Sequence, residues 1–179
     1  MAEAFSNSLS RAAGIVTSYS GSTVAAGGTA ITVTANTGIG VSSLIDNQHF
    51  LAGTKVHSIA GTTIYADRAS TNGTSATNQV VKFLGATTSY TSPAATKSIL
   101  IGGTFANNTN SSINLTVESY DQSAGIGVAI ASKIPVPAGS SFVISDTGKT
   151  LLEAGDQLRV YCDTANAVDV SLSVLTGVN

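Results

Sequence analysis

Apolar positions along this chain recur with two different periods. Near the start, Phe5, Leu9, Ala12, Ala13 and Val16 fall three to four residues apart, giving a narrow apolar stripe. That spacing predicts an N-terminal arm or one short helix over residues 1–18. Its apolar face must dock on something, so Phe5, Leu9, Ala12 and Val16 are the candidate interface residues, meeting either this subunit or the next. Because the stripe lies outside the pattern that follows, removing Met1 to Val16 is expected to leave the rest of the fold intact and to weaken assembly.

From Tyr19 onward the period is two, and β-branched residues are bracketed by Gly, Asn and Ser. Ile31 and Val33 alternate with Thr32 and Thr34. Lys55 to Ile59, Ala60-Gly61 and Thr62 to Ala66 read as a hairpin. The polar stretch Ser70 to Gln79 reads as an exposed loop before the apolar run Val80 to Leu84. Gly, Thr and Ser accumulate over Gly85 to Pro93, which marks a boundary. Beyond it the alternation is cleaner: Ser98 to Ile101, then Ile113, Leu115 and Val117, then Val128 to Ile134, with Pro135 and Pro137 keeping that segment from the centre of a sheet. Phe142 and Ile144 follow, Asp146 to Lys149 is a turn, and Leu158, Val160 and Cys162 alternate with Arg159, Tyr161 and Asp163. Val168, Val170, Leu172 and Val174 make the strongest alternation in the chain.

These elements predict an all-β protein: a C-terminal antiparallel β-sandwich, jelly-roll or immunoglobulin-like, over residues 87–179, preceded by a smaller β-barrel or sandwich over 19–86 and the short arm over 1–18. No βαβ alternation is visible, which disfavours a parallel nucleotide-binding sheet.

Composition changes the picture in one respect. Only 10% of the residues are charged although 42% are hydrophobic, against roughly 25% charged in an average domain. Ser, Thr, Asn, Gly and Ala must therefore cover most of the exterior, and such a surface packs closely against neighbours because hydroxyls and amides are cheaper to desolvate than charges. With net charge −2 and eight Lys and Arg spread thinly, there is no basic stripe for nucleic acid. No run approaches the ~18 to 20 apolar residues of a membrane span. Glu3 stands where a signal peptide would carry a basic segment, so secretion by that route is not implied. The single cysteine, Cys162, sits between alternating apolar neighbours and reads as a small core residue.

Signs of chemistry are weak. His49 and His57 are eight apart, a spacing that matches no zinc motif even with Asp46 or Asp67 nearby. Gly38-Ile39-Gly40-Val41 and Gly125-Ile126-Gly127-Val128 repeat four residues without completing a phosphate-binding fingerprint, and read as turns or bulges. Glu153 and Asp156 bracket a turn, and no serine nucleophile elbow is present. The reading is a non-enzyme without cofactor, catalytic residue or metal site.

A more specific signal lies in the ordered runs Thr96 to Ile101, Phe105 to Thr109, Ile113 to Val117, Ile134-Pro135-Val136-Pro137-Ala138-Gly139-Ser140-Ser141, Leu151 to Val160 with Leu152-Glu153-Ala154-Gly155-Asp156, and Val168 to Leu175. Their order resembles small virion structural proteins of tailed bacteriophages. Met1 to Arg11, with Gly53-Thr54-Lys55-Val56 and Asp67-Arg68, is most similar to those of contractile-tailed phages of marine cyanobacteria. The resemblance implies location in the virion and carries no catalytic residues. The expected function is a capsid decoration or cement protein that binds the head surface as a homo-oligomer, a trimer in the simplest case, with the major capsid protein or other virion proteins as partners and neither nucleic acid nor membrane. The alternatives are a neck, tail or fibre component, or a glycan-binding adhesin tip.

Overall fold

The computed structural model describes residues 3–144 and 149–178, and among them there are strands and turns but no helix. The strands form three antiparallel sheets, so the chain is all-β as its alternation predicts. It divides into two compact units. One comprises Met1–Gly14 and Thr87–Asn179, the other Ile15–Ala86, so the second unit is inserted in sequence after the first strand of the first.

The first unit contains β1 (Ala4–Ala13) and, beyond the insertion, β8 (Thr87–Thr91), β9 (Lys97–Asn107), β10 (Ile113–Asp121), β11 (Ile126–Val136), β12 (Ser141–Ile144), β13 (Thr150–Leu152), β14 (Gln157–Cys162) and β15 (Val168–Val178). One sheet runs β1-β15-β9-β12, with β13 also pairing β9; the other runs β11-β10-β14-β8. Leu100, Phe105, Val170, Leu172 and Val174 from the first sheet share one core with Leu115, Val117, Leu158, Val160 and Cys162 from the second, which makes a sandwich. Each fully buried aliphatic side chain here is worth about 1.5 to 3 kcal/mol of burial. Cys162 is buried within this core and forms no disulfide. Pro135 lies in β11, which is an edge strand, as the missing N–H requires.

Residues 4–13 form neither a loose arm nor a helix. They are a ten-residue strand paired antiparallel with β15 from Ala4↔Thr176 to Ser10↔Val170, and Ala13 is part of the core. The physical reason for the misreading is that residues four apart share a face of a strand as well as of a helix. Period-two alternation is present, but inverted: Ser6, Ser8 and Ser10 share the inward face of Val174, Leu172 and Val170, while Phe5, Asn7 and Leu9 face out. Ser8 Oγ donates to the Ser89 carbonyl on β8 at 2.8 Å, which satisfies one of the inward hydroxyls.

The second unit is a six-stranded sheet in the order β4 (Leu44–Asp46), β7 (Ala76–Gly85), β2 (Ile15–Val24), β3 (Ala30–Thr32), β6 (Thr63–Ala66), β5 (Val56–Ala60). A single bridge, Leu44↔Lys55, joins its two ends, so the smaller barrel expected from sequence is not closed by a continuous ladder. Ile31, Val33, Phe50, Ile64, Val81 and Phe83 fill its core. The predicted hairpin is β5–β6, with Ile59 opposite Ile64 and Gly61 at φ 59° supplying the left-handed turn position. The Ser70 to Gln79 stretch is less loop-like than expected. Ser70 is buried with its hydroxyl donating to Ala25, and β7 already begins at Ala76. The turn predicted at Asp146 to Lys149 falls mostly outside the described residues.

Candidate assembly surface and a buried carboxylate

The outward face of the β1-β15-β9 sheet carries a row of apolar side chains across the strands. Phe5 on β1 is opposite Leu175 on β15, Leu175 is opposite Ile99 on β9, and Ile99 is opposite Leu151 on β13. Phe5 is 79% exposed and Leu151 49%, while Leu175 and Ile99 are half-buried. Two steps along the strands a second row reads Leu9, Ser171, Thr104 and Val143, apolar at its ends and hydroxylic between. Neighbouring apolar side chains in register on an exterior sheet face form a patch, and patches of this kind mark interaction surfaces.

Of the four residues singled out from sequence, Phe5 and Leu9 share this face. Ala12 is exposed at a β-bulge with φ 56°, where its N–H donates to Asp169 Oδ1 at 2.9 Å. That bond, with the Asn108 side chain and the Arg11 charge beside it, holds the Asp169 carboxyl below its ordinary range. Val16 does not join them: it lies on β2 in the second unit, half-buried and opposite Leu84. Sequence reasoning missed Ile99, Leu151 and Leu175, because a row running across strands brings together residues far apart in the chain and leaves no local period.

The outer face of the other sheet holds an unexpected group. Glu118 is 2% exposed and receives a hydrogen bond from Tyr161 Oη at 3.1 Å. Gly127 makes room for it, since a Cβ at that position would collide with the Glu118 carboxylate. Opposite Glu118 in the ladder, Arg159 lies with its guanidinium 3.3 Å from the Tyr120 ring centroid, and its Nε donates to Gln157 Oε1 at 2.9 Å. Burial, then the adjacent Glu118 carboxylate, pushes the Tyr161 hydroxyl up from its ordinary 10.0. A tyrosine in this state keeps its proton and clamps the carboxylate; the shift moves it away from proton transfer at neutral pH.

The clamp has a pH signature. Tyr161 ionises near 10.0 in the unfolded chain but at higher pH in the fold, so its contribution to stability is complete below pH 10 and is lost as pH rises beyond it. Urea unfolding followed from pH 9 to 11 should show this component level up to about pH 10 and then falling at a rate approaching about 1.4 kcal/mol per pH unit, and Tyr161→Phe should remove it.

The histidines do not converge on a metal. His57 is exposed on β5 beside Tyr65 and Asp67, His49 is half-buried next to Gln48, and among the described residues no three of His, Cys, Asp and Glu lie close enough to hold an ion. Gly38 and Gly125 occupy turns at φ 80° and φ 68°. No helix among the described residues is long and apolar enough to cross a membrane. Comparisons of the chain with protein-family models, with curated proteins and with solved structures give no match.

Proposed function

We propose that this chain is a structural protein of a tailed-phage virion, most simply a decoration or cement protein that joins the head surface as a homo-oligomer and contacts the major capsid protein. The observation that carries the reading is the exterior row Phe5, Leu175, Ile99 and Leu151 on a protein with only 10% charged residues. A free protein exposing such a row invites association. A particle protein uses it, because every symmetric contact is repeated over the shell and modest energy per contact accumulates. The resemblance of Ile134 to Ser141 and Leu151 to Val160 to phage virion proteins supports the same reading. Quantitative mass spectrometry of purified particles tests it: copy numbers comparable with the major capsid protein are expected, and a few copies per particle would redirect the reading to a neck, tail or fibre component.

One observation favours a second reading, a glycan-binding adhesin tip. In the second unit Tyr65, 38% exposed, lines a shallow cleft with Thr29, His57, Ser58 and Asp67, an aromatic face beside hydrogen-bonding groups of the kind that sugars stack on. Glycan-array binding lost on Tyr65→Ala would support it.

A further inference from the structure

The edges of the three sheets are unequal. Five edge strands, β4, β5, β8, β12 and β13, are only three to five residues long, too short to template another chain. β11 is long but blunted, with two register shifts against β10, Lys133 at φ 52° and Pro135 within it. β1 is different. It is ten residues long, is in unbroken register with β15 from Ala4 to Ser10, and contains neither proline nor lysine. It also presents Phe5 and Leu9, at 79% and 74% the most exposed large hydrophobic side chains among the described residues. Its one bulge lies at the far end, between Ser10 and Ala13, and an edge left open over Ala4 to Ser10 with an apolar outward face is a pairing site.

The outward positions of this strand identify the occupant. Phe5, Asn7 and Leu9 face out within the continuous register, with the acid Glu3 just before the strand and the base Arg11 at the start of the bulge that ends that register: acid, apolar, amide, apolar, base. The series reads as its own complement when reversed. We propose that β1 pairs antiparallel with β1 of a second copy of this chain about a twofold axis at Asn7. In that register Phe5 stands opposite the other copy's Leu9 and Asn7 opposite its Asn7, Ser6 meets Ser8 on the inner face, and the flanking Glu3 and Arg11, the latter also beside Asp169 of its own copy, bring opposite charges to each end. Cross-strand apolar and opposite-charge pairs are the arrangements that stabilise a ladder, and a twofold contact needs only one self-complementary patch. The two sheets become one, and the row Phe5, Leu175, Ile99 and Leu151 of one copy runs on into Leu9, Ser171, Thr104 and Val143 of the other. The pairing goes beyond the virion reading and does not depend on it.

Light scattering coupled to size-exclusion chromatography of the full chain, away from any particle, should give the mass of two chains. Leu9→Lys, at an exposed position that the fold does not need, should weaken the pair about tenfold or more with an unchanged circular dichroism spectrum. Asn7→Cys places the two thiols opposite each other, at strand separations that suit a disulfide, and should cross-link the dimer on mild oxidation. The unsubstituted chain, whose cysteine is buried, should not cross-link. A monomer at all concentrations, a trimer, a Leu9→Lys dimer of unchanged strength, or a dimer that fails to cross-link through Asn7→Cys would each overturn the pairing.

Discussion

Gly14→Ala is expected to lower the melting temperature by about 10 °C, the equivalent of about 4 kcal/mol in a chain of this size. Gly14 has φ 122°, a conformation that residues with a Cβ adopt only under strain. An added methyl would sit 2.6 Å from the Thr164 carbonyl oxygen and 3.3 Å from both the Asn166 nitrogen and the Cys162 Cβ. The neighbouring backbone has little freedom to yield. Asn166 N–H donates to the Gly14 carbonyl and Ala167 N–H to the Ala13 carbonyl, each at 3.0 Å, and Gly14 N–H donates to Thr87 Oγ1 at 3.2 Å. Gly27→Ala is the matched control: φ is also positive, 54°, but nothing lies within 4 Å, and the cost should be about 1 kcal/mol. Thermal unfolding of the two variants side by side separates the clash and the harsher dihedral at Gly14 from the ordinary cost of a Cβ at positive φ.

Deleting Met1 to Ala13 should cost the first unit its cooperative fold. The sequence pattern alone predicts that removing Met1 to Val16 leaves the β-fold intact and weakens assembly; the register of β1 points the other way for the fold. β1 covers β15 along most of its length, and β15 contributes Val168, Val170, Leu172 and Val174 to the core. Without β1 the long β15 becomes an open edge, the buried Ala13 is lost, and Ser89 loses the partner that Ser8 provides. Amide resonances from residues 87–178 should collapse toward unfolded positions while those of 15–86 stay dispersed. A synthetic peptide of residues 3–14 added in trans should restore them by replacing the missing strand. Full dispersion of the truncated chain would mean that β1 is dispensable.

The sandwich was readable where burial follows alternation. Val168 to Val174 and Leu158 to Cys162 face a common core, so their inner positions are uniformly apolar. Proline marked β11 as an edge strand, and Gly61 marked the hairpin turn. β1 misled because its serines point inward and its Phe5 and Leu9 outward, so the alternation carries the wrong sign for a core strand. Glu118 was equally opaque. It alternates with Leu115 and Val117 as a solvent-facing residue would, and only the space left by Gly127 and the Tyr161 hydroxyl accommodate it below the surface. The apolar row from Phe5 to Leu151 depends on which strands lie side by side, which no local pattern encodes.

The proposed virion role requires that the exterior face bearing Phe5, Leu175, Ile99 and Leu151 be covered in a particle. Hydrogen–deuterium exchange on the chain free and in purified virions addresses it directly. Peptides spanning residues 97–104 and 171–176 are expected to gain protection in the particle, while those spanning β5 and β6 exchange alike in both states. Equal exchange of β9 and β15 in the two states, or absence of the chain from the particles, would contradict it.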